Sequence, residues 1–374
     1  MKTTQYISEP YRLFFPLGTL LFLTGILIWV PLIFFPDEYP VLLHRSLMLT
    51  GFTGTFIGGF LMTAVPKFSD TTPARPFEVS LFFIATVLGI CATLTGKEEI
   101  VLLLSTLQPI VILSFIFSRI TKRKQNPPYS FVFIFVGLIL WIISGVLGFT
   151  LNPEDFKRLH YEGAISAIIL GVGSRLIPGI LGHVEIVRTQ RAAYERPVAL
   201  LKTVPMHFFF LIAFFIGSYF LSETIGNFIR FGVVFFIGMK YWLLNKAPKD
   251  RTALTWCIWS SAWLIVLSFL LRALLSDAGI HASHALFING IALLSFLIAT
   301  RVIQSHGPED KTLENSKVLY VVTALIFLAS ATRISAYLMP DTYLHHLAYS
   351  AIVLALAVII WGGKYLKFVT IKKD

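Results

Sequence analysis

From Leu13 to Gly363 the chain is a succession of apolar runs of about 20 residues, the length of α-helix that crosses a bilayer core, separated by short polar breaks. Within lipid every backbone N–H and C=O has to be satisfied inside the segment, so runs of this kind fold as helices. Twelve spans are predicted: Leu13–Phe35, His44–Val65, Glu78–Thr95, Ile100–Ile120, Tyr129–Thr150, His160–Leu181, Val198–Leu221, Thr224–Leu244, Ala253–Leu275, His281–Ile303, Lys317–Leu338 and Tyr343–Gly363. Turn-forming residues mark the breaks, as in Pro36-Asp37-Glu38, Pro66-Lys67, Asn126-Pro127-Pro128, Asn152-Pro153 and Gly307-Pro308-Glu309-Asp310. Composition agrees: 56% of the 374 residues are apolar and 14% are charged, against about 25% charged in soluble domains. The fold class expected is an all-α integral membrane protein, residues 1–374 forming a single membrane domain. The polar stretch Met1–Pro10 has no apolar core with a cleavage site, so no signal peptide is expected.

The formal charge of +11 invites a nucleic-acid partner, but its distribution argues for topology. Lys and Arg accumulate on the cytoplasmic side of helical membrane proteins. With a cytoplasmic N-terminus, the inner connections hold Lys67 and Arg75, then Arg119, Lys122, Arg123 and Lys124, then Arg188, Arg191, Arg196 and Lys202, then Lys246, Lys249 and Arg251, then Lys311 and Lys317. The tail adds Lys364, Lys367, Lys372 and Lys373. The outer connections hold mainly Lys97, Lys157 and Arg158 among many acids. Both termini are therefore expected in the cytoplasm, with the lipid bilayer as partner and no nucleic acid. Cys91 and Cys257 stand singly in apolar runs, which excludes a disulfide framework, an iron–sulfur motif and c-type heme attachment.

The strongest basic clusters follow spans four, eight and twelve, which suggests three four-helix units, 1–125, 126–250 and 251–374, in a pseudo-threefold arrangement. The second helix of each begins near a histidine, His44, His160 and His284, spaced 116 and 124 residues apart. Internal repeats of membrane proteins commonly place a functional site where they meet.

An imidazole suits heme iron, copper or zinc, and polar residues within spans are functional candidates. Six of the nine histidines, His44, His160, His281, His284, His345 and His346, fall at outer helix ends on this topology. His183 and His306 fall at the cytoplasmic side, and His207 within the seventh span. His44, Gly51, Thr55 and Gly58 share one stripe of a helix, as do His160, Gly163, Ala167 and Gly171. A histidine above a column of small residues leaves room for a flat porphyrin; equally, such a column permits close helix packing. Arg175 and Arg301 occupy comparable late positions of spans six and ten, suited either to an anion or propionate or to snorkelling toward the interface. No hydrolase nucleophile, phosphate-binding loop or zinc-protease motif is present.

Pro10-Tyr11-Arg12-Leu13-Phe14-Phe15-Pro16, the run Gly59-Phe60-Leu61-Met62-Thr63-Ala64-Val65-Pro66 and the His284–His306 segment with Thr300-Arg301-Val302 resemble the NnrS family of bacterial inner-membrane proteins. The resemblance implies an association with heme and copper and with nitric oxide and nitrosative stress. The family's second-span motif reads His-Ala-His-Glu-Met; here it is His44-Arg45-Ser46-Leu47-Met48, so the second histidine and the glutamate are replaced by Ser46 and Leu47. The arrangement is also similar to heme–copper oxidase catalytic subunits. That similarity implies His44 and His284 as axial ligands of a heme b, and His160 and His281 as candidates for a second metal such as copper; His207 is a metal-ligand candidate on its own account, equally suited to bonding a neighbouring helix. Gly51 and Gly58 would then line the heme, Arg175 and Arg301 would meet anions or propionates, and nitric oxide would be a small ligand. A heme-dependent redox or nitric-oxide-related activity, with a redox partner, is open on this reading, since similarity of fold does not by itself confer an activity. The alternative is a secondary transporter of a small anion, without heme, using Arg175 and Arg301.

Overall fold

A computed structural model of the chain describes residues 2–35, 39–151, 154–192, 198–307 and 312–370. Pro36, Asp37, Glu38, Asn152, Pro153, Pro308, Glu309, Asp310, Arg196, Lys311, Lys372 and Lys373 lie outside the described residues, as does the side chain of Arg191. Among the described residues every regular element is helical.

Among the described residues, ten helices are long and apolar enough to cross a membrane: α1 (Tyr11–Ile33), α2 (Val41–Ser69), α3 (Pro76–Thr95), α4 (Glu98–Ile120), α5 (Tyr129–Thr150), α6 (Glu154–Ile180), α9 (Ala253–Leu274), α10 (Ile280–His306), α11 (Val318–Ser335) and α12 (Pro340–Thr370). The chain is thus a multi-pass helical membrane protein. Between α6 and α9 stand α7 (Met206–Phe220) and α8 (Glu223–Lys240), where the expected count of twelve meets its physical limits. Helix α7 was expected to begin at Val198, but Pro205 caps it, since proline lacks an N–H and disfavours helix before it. What remains is 12 α-helical residues and a 3-residue terminal turn, about 22 Å at 1.5 Å per residue. Helix α8 has 18 residues but carries Glu223, Asn227, Arg230 and Lys240.

Local chemistry sets the helix ends. Pro76 occupies the first turn of α3, and the Glu78 carboxylate accepts the Arg75 N–H at 2.8 Å. Asp70 ends α2 in the left-handed region at φ 49°, its N–H bonded to the Pro66 carbonyl. Thr252 caps α9 by accepting the Thr255 N–H at 3.2 Å.

Three helices widen into π-helical turns, at Leu47–Thr53 in α2, Leu159–Gly163 in α6 and Ala285–Ala292 in α10. A π turn frees carbonyls from the ordinary ladder. Two of these carbonyls receive side-chain donors from a neighbouring helix: Gln108 Nε2 donates to Thr50 O at 3.0 Å, and Ser261 Oγ to Asn289 O at 3.3 Å.

The chain forms two compact units, Met1–Gly18 with Arg45–Gly179 and His183–Leu221, and Thr19–His44 with Ile180–Gly182 and Ser222–Asp374. In the first, α4 packs against α2, α3 and α5. Gln108 ties these helices together by also donating to Thr86 Oγ1 at 2.7 Å, and small residues permit the approach. A Cβ at Gly145 would stand 2.4 Å from Thr106 Cγ2 and 2.8 Å from the Leu102 carbonyl. In the second unit α9 packs on α8 and α10, α10 on α11, and α11 on α12. Asn289 Nδ2 donates to Ser330 Oγ at 2.8 Å, Ser350 Oγ to Ala329 O at 2.7 Å, and Trp361 Nε1 to Thr300 Oγ1 at 2.9 Å. Phe117, Phe210 and Phe214 lie exposed, as lipid-facing residues of a membrane protein do.

Candidate functional site

His44 and His284 belong to the same unit. His44, His281 and Arg333 all lie within electrostatic range of His284. His44 rides on the first turn of α2; its Nδ1 is 2.7 Å from the Gly25 carbonyl on α1 and 2.9 Å from Trp29 Nε1. A carbonyl only accepts and an indole N–H only donates, so the two contacts belong to different tautomers of His44. With the proton on Nδ1 the ring donates to Gly25 and carries its lone pair on Nε2; with the proton on Nε2 it accepts from Trp29. The Trp29 and His44 rings meet edge to face, 5.2 Å between centroids at 80°.

His284 directly precedes the π turn of α10, and its Nδ1 is 2.7 Å from the Ile280 carbonyl one turn back. That carbonyl can only accept, so the proton sits on Nδ1 and the lone pair on Nε2. Imidazoles that ligate metals characteristically donate their other N–H to a carbonyl or carboxylate in this way.

His281 is differently engaged. Arg333 Nη1 stands 2.9 Å from His281 Nδ1, and since a guanidinium has no acceptor the histidine accepts and carries its proton on Nε2. The rings of Tyr337 and Tyr343 flank it, with centroids 5.5 and 5.8 Å away. Neither nitrogen of that ring, so bonded, offers a metal a lone pair.

His160 lies in the other unit, fully buried. Its Nε2 is 2.9 Å from Ser105 Oγ on α4 and its Nδ1 is 3.1 Å from Ser144 Oγ on α5. Both ring nitrogens are thus hydrogen-bonded to serines, which are themselves bonded to the Leu102 and Leu140 carbonyls. In the uncharged ring one serine accepts the imidazole N–H while donating to its carbonyl, and the other turns its single hydroxyl proton from its carbonyl to the ring nitrogen. This is a satisfied core histidine that pins α6 to α4 and α5.

The small-residue stripe of α2 serves packing. A Cβ at Gly58 would stand 2.2 Å from Phe82 Cζ on α3, so the space expected for a porphyrin holds a phenylalanine ring. Gly51 is buried inside the π turn, and its carbonyl accepts from Thr55 Oγ1. Ser46, where the resembled motif has its second histidine, is buried and donates to the Gly89 carbonyl at 3.1 Å; Leu47 is buried beside it.

The two arginines singled out for anions have other partners. Arg301 is ion-paired with Glu314. Arg175 donates to the Val187 carbonyl at 3.4 Å, with its guanidinium 5.9 Å from the Phe68 ring centroid. His207 is half-buried against the Phe208 ring. His345 is exposed near Tyr349, His346 Nδ1 is 3.1 Å from Ser335 Oγ, and His306 Nδ1 is 2.9 Å from the Val302 carbonyl. His183 is buried, beyond the end of α6. Among the described residues no three His, Cys, Asp or Glu side chains converge to hold a metal ion.

Sequence reasoning missed Gly25, Trp29, Arg333, Tyr337 and Tyr343. Arg333 did leave a signal: it falls late in the eleventh span, at the outer end on the topology read from charge, where lysine and arginine are scarce.

Fold and site together define a polytopic helical membrane protein with a histidine- and arginine-bearing cluster formed by α1, α2, α10, α11 and α12. The profile of the NnrS protein family matches residues 5–372, and the chain belongs to that family. A comparison with curated proteins gives no match.

Proposed function

We propose that this protein binds heme b through His44 and His284 and acts in nitric oxide tolerance, in a bacterial inner membrane with both termini cytoplasmic. The observation that carries the reading is the pair of imidazoles in one unit, each with Nδ1 against a backbone carbonyl at 2.7 Å. At His284 that contact selects the tautomer whose Nε2 can coordinate iron, and at His44 it favours the same tautomer against the competing Trp29 N–H. The donor set fits a heme, which needs one or two protein ligands, better than a copper ion held by three. When bound, heme supplies a one-electron couple and a place for a small ligand such as nitric oxide. Gly25 and Ile280 then orient the two rings. The association of the NnrS family with nitric oxide agrees with this role.

The same reading takes α7 and α8 as the seventh and eighth crossings, completing three four-helix units. Support comes from the π turns, which occur at or just beyond His44, His160 and His284 on α2, α6 and α10.

Absorption spectra test the proposal. Protein purified from heme-replete cells should show a Soret band that His44→Ala and His284→Ala each remove while His207→Ala leaves it. A folded, colourless wild type refutes the heme assignment.

A further inference from the structure

Arg333 is the one member of the cluster whose charge the reading above does not use. It lies on α11 with only 9% of its surface exposed. Its partners are neutral acceptors: Nδ1 of His281 at 2.9 Å and the hydroxyl of Tyr343. Among the described residues no aspartate or glutamate pairs with it. Three other buried arginines meet carboxylates, Arg12 with Glu9, Arg119 with Glu78 and Arg272 with Glu223, while Arg230 donates to the Asn227 side-chain amide. A buried cation without a counter-charge is expensive, and such charges persist where a partner arrives from outside the chain.

We infer that Arg333, together with the His281 Nε2–H, is a receptor for a carboxylate or a similar small oxyanion. A guanidinium presents five N–H donors, and two neutral acceptors leave enough of its fork for a bidentate carboxylate. Bonding to Arg333 also fixes the His281 proton on Nε2, which adds a second kind of N–H donor. Tyr337 and Tyr343 flank the imidazole as aromatic walls. His284 is within electrostatic range of Arg333, so the anion would sit beside the histidine pair. Two sources carry this chemistry: a carboxylate of the porphyrin, which rests on the heme reading, or a free small anion, which does not.

The test uses the full chain in lipid nanodiscs. Protoheme and its dimethyl ester, which lacks free carboxylates, are titrated into wild type, Arg333→Gln and Arg333→Lys, with helicity and monodispersity checked for each. For the first source, wild type binds the acid at least about tenfold tighter than the ester, the span of one charge-assisted hydrogen bond. The ratio then falls to within about twofold in Arg333→Gln and is partly kept in Arg333→Lys. For the second source, acetate raises the unfolding temperature of heme-free wild type above an equal-ionic-strength chloride control, and Arg333→Gln abolishes the rise. The acid-to-ester comparison on wild type needs no variant and stands even where Arg333→Gln fails to fold. An acid-to-ester ratio near one together with no acetate effect overturns the inference, as does either response surviving unchanged in Arg333→Gln. A protein that binds no heme yet responds to acetate through Arg333 keeps the anion site and removes only the heme reading.

Discussion

Replacing His160 with alanine separates a packing histidine from a metal ligand. The imidazole holds two serine hydroxyls, at 2.9 and 3.1 Å, in a fully buried position. Each bond contributes about 1 kcal/mol net. With the ring gone, the hydroxyls of Ser105 and Ser144 can each donate to their own carbonyls, so no hydroxyl proton is orphaned and no further penalty arises there. The void left by the ring adds roughly 1–2 kcal/mol, the lower part of the range for large-to-small core changes. The expected loss is about 3–4 kcal/mol, or roughly 6–16 °C at 2–4 °C per kcal/mol for a unit of this size. Thermal unfolding in nanodiscs by circular dichroism reads the stability, and pyridine hemochrome absorbance reads heme content. Stability should fall while the heme per folded protein stays at the wild-type value. Loss of the Soret band with unchanged unfolding temperature would refute the packing role and return His160 to the metal ligands.

Trp29→Phe removes the donor that stabilises the competing tautomer of His44, so heme affinity should rise about fivefold, the equivalent of one neutral hydrogen bond of about 1 kcal/mol; an affinity that falls instead would show that the indole N–H supports the ligating form. Gly58→Ala drives a Cβ to 2.2 Å from the Phe82 ring and should cost about 1–3 kcal/mol, with Phe82→Leu restoring part of it; unfolding curves of both variants decide, and a neutral Gly58→Ala contradicts the packing reading. Alkaline phosphatase fused after Lys97 should be active and after Lys124 inactive, and the reverse pattern would invert the charge-derived topology.

Most of the architecture was legible because transfer of apolar runs into lipid is nearly a one-dimensional property of the sequence. Spans one to six and nine to twelve each correspond to a long helix, with ends close to those expected except that the sixth begins earlier, at Glu154, and the twelfth runs on to Thr370. The seventh and eighth were harder because Pro205 divides an apolar stretch that hydropathy alone reads as continuous, and because Arg230 and Asn227 are buried side chains on an otherwise apolar helix. The site was only half visible. His44 and His284 could be chosen from position, whereas the serines that occupy His160 and the ring that fills the Gly58 column come from neighbouring helices. Spacing along one helix carries no record of what a second helix brings to it.

The wide turns of α2, α6 and α10 have a consequence for how such a site can change. A π turn accommodates an extra residue, and one residue of α-helix is about 100° of rotation and 1.5 Å of rise. Removing one residue from Leu47–Thr53 or Ala285–Ala292 would restore the ordinary ladder while both flanks of the helix stay in phase with their neighbours, because the wide turn has already absorbed that residue's rotation and rise. Each histidine therefore sits beside a joint where the chain can lose a residue without repacking the rest of its helix.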